Sequence, residues 1–435
     1  MADQQALDEV VTFTSDLIRV DTTNRGGGDC QERPAAEYAA ARLAEAGLEP
    51  TLLERTRGRT NVVARIEGTD PSADALLVHG HLDVVPAQAA EWSVHPFSGE
   101  IRDGVVWGRG AVDMKNMDAM ILAVVRAWAR HGVRPRRDVV IAFTADEEAS
   151  AEDGAGFLAD RHAGLFEGCT EGIGESGAFT FHDGDGRQIY PIAAGERGTA
   201  WLRLTARGRA AHGSQPNREN AVTRLAAAVT RIGAHEWPLR LTPTVRAALT
   251  ELAALYGLDA DLDDVDGLLK KLGRAARLVE ATVRNSANPT MLEAGYKVNV
   301  IPGEAVAYVD GRCLPGGEEE FHETLDRLTG PDVEWEYLHR EIVALQAPLD
   351  SPTYARMRAA VEDFAPEGHV VPYCMPGGTD AKQFSRLGIT GYGFSPLKLP
   401  EGYDYGAMFH GVDERVPVQA LHFGVRVLDR FLRTA

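Results

Sequence analysis

Apolar positions follow two rhythms along the chain. Residues 5–19 and 32–47 repeat at helical spacing and predict two amphipathic helices, separated by the loop DTTNRGGGD (21–29) with its turn-forming Gly, Asn and Asp. Unbroken runs follow at TNVVARI (60–66), ALLVHGH (75–81) and DVVIAFTA (138–145), the last preceded by the helix-like MDAMILAVVRAWARHG. Continuous Val, Ile and Leu runs alternating with helices predict strands buried on both faces, hence an α/β sheet between helical layers.

The texture changes near residue 196. RGTAWLRLTARGRA alternates like a half-exposed strand, and a helix-like stretch begins at Glu219. YKVNVIPGEAVAYVDGR then gives two strands around Pro302-Gly303, and the tract from about 243 to 290 reads as acidic and helical. Residues 196–315 are therefore expected to form an α+β domain inserted into an α/β domain made of 1–195 and 316–435, which closes on the helix-like VPVQALHFGVRVLDRFLR. The 435 residues suffice for two cores, since single cores rarely exceed about 250–300 residues.

A formal charge of −19 argues against nucleic acid or an anionic membrane as a partner, because a polyanion meets repulsion over most of the surface. The opening MADQQALDEVVTFTSDLIRVD carries acids where a secretory leader has a basic head, and no apolar run approaches the ~20 residues that span a bilayer. The expectation is a cytoplasmic protein. Cys30, Cys169, Cys313 and Cys374 form no CxxC pair, which suits reduced thiols rather than disulfides or a thiolate zinc site.

Chemistry gathers at the ends of the apolar runs. Alternation along an extended strand turns His79, His81 and Asp83 to one side. A histidine that binds metal through one ring nitrogen usually has the other held by a carboxylate, which His81 and Asp83 can supply. Two satisfied polar groups at a strand end would look the same. The next run, however, also ends in acids, Asp146-Glu147-Glu148, at the place where ligand sites of open α/β sheets collect. Adjacent acids repel unless cations or protons compensate. The glycine-rich WGRGAVDMK brings Asp113, GIGESGAF brings Glu175, and MFHGVDER offers His410. Two histidines with several carboxylates and no thiolate suit zinc, cobalt or manganese rather than calcium. One carboxylate beyond the need of a single tetrahedral ion suggests two ions about 3.5–4 Å apart. His79, lacking such partners, is assigned to packing behind the site.

GHLDVVP, GRGAVDMK, the Asp-Glu-Glu triplet, GESG, GRAAHGSQP and the late His410 occur in one order across the chain. This ordered set resembles the dinuclear zinc amidohydrolase and peptidase family of aminoacylase, carboxypeptidase G, acetylornithine deacetylase, succinyl-diaminopimelate desuccinylase and carnosine dipeptidase. The resemblance implies a zinc-peptidase-like α/β catalytic domain, with a ferredoxin-like α+β insert that serves as lid and dimerisation surface. It implies two divalent metal ions, most simply zinc, held by His81, Asp113, Glu148, Glu175 and His410, with Asp113 bridging.

In the same way Asp83 would orient His81, and Glu147 would be the general base that takes a proton from the attacking water and delivers it to the leaving amine. His212 of the insert would donate to the developing oxyanion, in the partner's site of a homodimer. Asn299, Arg312, Gly378 and Thr379 resemble the contacts to the substrate carboxylate, for which a planar guanidinium is apt. The expected reaction is hydrolysis of an amide next to a free carboxylate, on an N-acyl amino acid or short peptide. Glu at position 175 and the stretch EWSVHPFSGEIRDGVVWGRGAVDMKN resemble the acyl-amino-acid and carboxypeptidase branches; a dipeptidase or aminopeptidase is the alternative within the family. A non-catalytic metal-dependent binding protein is the alternative of another class.

Overall fold

The computed structural model describes residues 2–26, 30–338 and 343–435; Gly27, Gly28 and Asp29 of the glycine-rich loop lie outside the described residues. Two compact units result, the first made of Met1–Ala194, Ala347–Tyr373 and Thr379–Ala435, the second of Gly195–Gln346 and Cys374–Gly378.

The first unit is organised by a mixed sheet. Its strands run in the order Thr51–Glu54, Thr60–Ile66, Val139–Thr144, Ala75–His81, Cys169–Gly174, Thr390–Gly393 and Gln188–Glu196. The four from Val139–Thr144 to Thr390–Gly393 are mutually parallel. Alternation explains the unbroken apolar runs. Leu76, Val78 and Ile141 enter one core with the helices Gln4–Arg19, Lys115–His131 and Val418–Thr434. Ala75, Leu77, Val140 and Ala142 enter a second core with Leu158, Phe166 and Phe384. A strand with helices on both faces has no solvent side to mark with polar residues. Asp3 caps the first helix, its carboxylate accepting the Ala6 N–H at 2.7 Å.

In the second unit four antiparallel strands lie in the order Ser286–Ala294, Glu304–Cys313, Gly198–Arg207 and Val333–Tyr337. The helices Ala221–Gly233 and Glu318–Thr329 cover them, burying Leu225, Ala228, Ile232, Phe321 and Leu325 against Leu202, Leu204 and Ala307. Along the chain this is strand, helix, strand, strand, helix, strand, the βαββαβ order. Two boundaries differ from expectation. The insert does not end at 315 but runs to Gln346, because Glu318–Thr329 and Val333–Tyr337 complete its sheet and core. The tract expected to be helical to about 290 holds the helices Pro243–Leu255 and Val265–Leu272, then becomes strand from Ser286.

Candidate metal centre

Parallel strands present their carboxyl ends together, and the predicted ligands of the first unit emerge from those ends. His81 is the last residue of Ala75–His81, Glu147 and Glu148 follow Val139–Thr144, and Glu175 follows Cys169–Gly174. The turn 108–114 carries Asp113, and a loop before the strand Arg415–Pro417 carries His410. Three non-glycine residues here hold left-handed backbone, Asp146 (φ 65°), Ser176 (φ 63°) and His410 (φ 56°). Such strain collects where side chains must be aimed.

His81 is buried, and its Nδ1 lies 2.9 Å from the backbone carbonyl of Asp83. A carbonyl only accepts, so Nδ1 carries a proton and Nε2 faces the acids. Nε2 lies 3.1 Å from Asp113 Oδ1, 3.9 Å from Glu175 Oε1 and 4.0 Å from Glu147 Oε2. The other oxygen of Asp113, Oδ2, lies 3.3 Å from His410 Nε2, which is 3.1 Å from Glu148 Oε2. Two sets of potential ligands result, His81, Asp113, Glu175 and Asp113, Glu148, His410, each with donor atoms within 4.8 Å of one another. Asp113 offers one oxygen to each.

Left to its own side chains, the cluster balances its charge with protons. Burial resists charging His81, yet hydrogen bonds with Asp113 and Glu175 hold its pKa well above the usual imidazole range. Hydrogen bonds to Asp113 and Glu148 push His410 up to about 10. Burial raises Glu175 to about 8 and lifts Glu147 well above the carboxylate range, with the neighbouring Glu175 adding to the rise. Burial raises Asp113 as well, but the hydrogen bonds and charge of His410 and His81 outweigh it and hold Asp113 below the usual carboxylate range. Glu148 Oε1 is buried with no hydrogen-bond partner among the described residues. Two imidazoles, three carboxylates, an orphaned carboxylate oxygen and no thiolate form a donor set that fits two borderline divalent cations.

Asp83 differs from its expected role in one respect. Its carboxylate is 3.6 Å from His81 Nδ1, and the 2.9 Å bond to that nitrogen comes from its backbone carbonyl. The carboxylate instead accepts the N–H groups of Glu147 and Glu148, both at 3.1 Å, and the Asn24 side-chain amide at 2.8 Å. It therefore shapes the turn that bears the two glutamates. Asp146 stays off the cluster, pairing with Arg59 at 3.1 Å. His79 packs on Phe384, ring centroids 5.2 Å apart, and burial lowers it to about 3.

The residues expected to meet substrate divide between the units. His212 lies in a two-residue strand paired with Val300–Ile301; it is exposed, with Nδ1 2.8 Å from Ser214 Oγ. Asn299 adjoins it, its carbonyl accepting the Gly213 N–H at 2.9 Å. Arg312 turns its guanidinium fork to Asp310, at 2.7 and 3.0 Å. Gly378 is half-buried at the end of the second unit, whereas Thr379 is buried in the first.

Three buried acids are absent from the predicted site residues. Glu414 accepts three backbone N–H groups of the turn that bears Asp113. Asp118, on the helix Lys115–His131, has neither oxygen hydrogen-bonded among the described residues, and a Cβ on Gly80 would meet its Oδ1 at 2.2 Å. Burial raises its pKa well above the usual range, behind the strand between His79 and His81. Asp380 accepts the Thr144 hydroxyl at 2.6 Å, and burial raises it to about 7.

Residues 77–434 match the description "Peptidase family M20/M25/M40". The chain belongs to this family. It is a metal-dependent hydrolase of amide bonds, as the ordered motifs imply. Over 390 residues the M20 chain is 30% identical to the human N-fatty-acyl-amino acid synthase/hydrolase PM20D1, covering 85% of this chain and 76% of the human protein. Aminoacylase-1 of Pongo abelii is 26% identical over 418 residues, 92% of this chain and 91% of its own. The M20 family metallo-carboxypeptidase Sso-CP2 of Sulfolobus solfataricus shares the fold, with a TM-score of 0.73 at 18% identity over 98% of this chain and 99% of that one.

Proposed function

We propose that this M20 chain hydrolyses N-acyl amino acids or short peptides at an amide next to a free carboxylate, with two divalent ions, zinc before cobalt or manganese, held by the two ligand sets. The observation that carries this is the division of Asp113, one oxygen toward His81 and Glu175 and the other toward His410 and Glu148. Two such ions lower the pKa of a coordinated water and polarise a carbonyl. The names of PM20D1 and aminoacylase-1, matched over most of their length, favour the acyl-amino-acid class.

Glu147 belongs to neither ligand set, and its Oε2 is 4.0 Å from His81 Nε2. Raised by burial and by Glu175, it is suited to take a proton from water and pass it to the leaving amine. Asp83 fixes the backbone from which Glu147 and Glu148 project. We assign the second unit the part of lid and His212 that of oxyanion donor; its exposure and its place on one ribbon with Asn299 support this. Arg312, Gly378 and Thr379 would complete the carboxylate contacts, with Arg312 exchanging Asp310 for substrate. Assembly as a homodimer is supported by the edge strand Ser286–Ala294, where Met291 and Leu292 are exposed, and by exposed Tyr296 and Val298 beyond it. Four buried free cysteines favour a reducing, cytoplasmic setting. No helix among the described residues is long and apolar enough to cross a membrane.

The test is a panel of N-acyl amino acids, C-terminal peptides and dipeptides, assayed on metal-stripped protein resupplied with zinc, cobalt or manganese. Acyl-amino-acid hydrolysis that depends on added metal is expected, and Glu147→Gln should keep both ions while losing about 10²–10⁴-fold in turnover. Protein loaded with two ions yet inert toward every amide would be a binding protein. Glu147→Gln within a few fold of the parent would remove the base assignment.

A further inference from the structure

Glu414 is a charged residue with no exposed surface. Its position follows from register: the strand Arg415–Pro417 pairs antiparallel with Val105–Trp107, with Arg415 opposite Trp107. The next step outward sets Glu414 beside Gly108, whose N–H donates to the Glu414 backbone carbonyl at 2.9 Å. From there the side chain reaches beneath the turn 108–113. Oε1 accepts the N–H groups of Val112 at 2.7 Å and Asp113 at 3.1 Å. Oε2 accepts the Gly110 N–H at 3.1 Å and the Arg109 guanidinium at 2.6 Å. The second arm of Arg109 donates to the Gly411 carbonyl at 3.0 Å, one residue beyond His410, and its guanidinium lies over the Trp92 ring at 5.2 Å.

We propose that Glu414 is a positioning residue whose carboxylate, steadied by Arg109, locks the turn bearing Asp113 to the loop bearing His410, and so sets the spacing of the two metal sites. This rests on the dinuclear reading above. The chemistry is selective. Four donors converge on one group, and only a carboxylate offers two oxygens with lone pairs enough for all of them. A glutamine must turn an NH₂ toward one of those donors, and an aspartate is a methylene too short. Both ends of the clamp carry ligands of the more open set, Asp113 and His410. Glu414 touches neither metal donor atoms nor substrate; it acts through the backbone that aims them.

The experiment compares the parent with Glu414→Gln in three readings. In metal-free protein, amide hydrogen exchange across 110–113 should accelerate about tenfold or more, while the strands Thr60–Ile66 and Val139–Thr144 keep their protection. Titration with cobalt should show one of two ions bound about 10–100-fold more weakly, with an altered visible spectrum. In the zinc-loaded protein kcat should fall while KM stays within a few fold. A folded variant with parental exchange, two ions at parental affinity and the parental cobalt spectrum would overturn the proposal. Should Glu414→Gln fail to fold, Arg109→Met decides: about tenfold weaker binding of the second cobalt ion supports the clamp, and parental affinity overturns it. A parent that binds a single ion would defeat the dinuclear reading instead. The exchange reading needs no metal and still tests the clamp, which rapid parental exchange across 110–113 would overturn.

Discussion

The two ligand sets that share Asp113 are unlike. His81, Asp113 and Glu175 are sealed, with the His81 side chain 1% exposed, and two of them sit at the ends of parallel strands. In the set of Asp113, Glu148 and His410 the carboxylate side chains are 8% and 6% exposed, and His410, 57% exposed on a loop, is the open member. A ligand at the end of a central strand inherits the rigidity of the sheet. One on a loop must be held by contacts made for that purpose, such as those of Arg109 to Gly411 and Glu414. If two ions bind as proposed, the one at His81 is expected to be held longer than the one at His410.

Removing the common member has the largest expected effect. Asp113→Asn should lower turnover by more than about 10²-fold and abolish tight binding of both ions, read as metal content after desalting. An ion retained at parental affinity would show that His81 and Glu175 suffice without it. Next in size is the contrast between His81→Ala and His410→Ala. The first should lose both ions and destabilise the fold by about 1–3 kcal/mol, since Asp113 and Glu175 lose their buried partner. The second should keep one ion and nearly parental stability in denaturant unfolding. Equal losses from the two variants would erase the distinction between sealed and open sets.

Smaller again is the response of the parent to a chelator. Cobalt-loaded protein is expected to lose its ions in two phases, the first restored by added metal and prevented by an excess of substrate. A single phase would mean that both ions leave together. The smallest effect concerns metal-free protein and pH. Burial raises Glu175 from 4.5 to about 8, Glu32 from 4.5 to about 7 and Asp380 from 3.8 to about 7. Each carboxyl therefore adds stability when protonated. That contribution is complete below its ordinary value and disappears as pH rises through 7 to 8. Metal-free protein should melt higher at pH 5 than at pH 8, and bound metal should reverse the order. A metal-free protein that gains stability over this interval would contradict the assigned protons.

One member of each set was legible in the sequence, because a polar residue that ends an apolar run is conspicuous. His81 closes the run from Ala75 to Val78, and Glu148 follows the run from Val139 to Phe143. His410 was legible only through the ordered resemblance, since a histidine in a polar loop has no periodicity to violate. Glu414 and Asp118 were not legible at all. An acid in the tract DER or within the polar spacing of a helix reads as solvated, and only its burial tells otherwise. The return of the chain to the first unit was misplaced for a related reason. The helix Glu318–Thr329 buries one apolar face whichever sheet it covers, so its pattern cannot say to which domain it belongs.

The bond from the Asp113 N–H to Glu414 closes a loop of 301 residues. The turn that bears Asp113 can therefore be clamped only after Glu414 has emerged from the ribosome. A nascent product halted short of position 410 holds His81, Asp113, Glu148 and Glu175 but neither His410 nor the Glu414 carboxylate, so the second ligand set is completed late in synthesis.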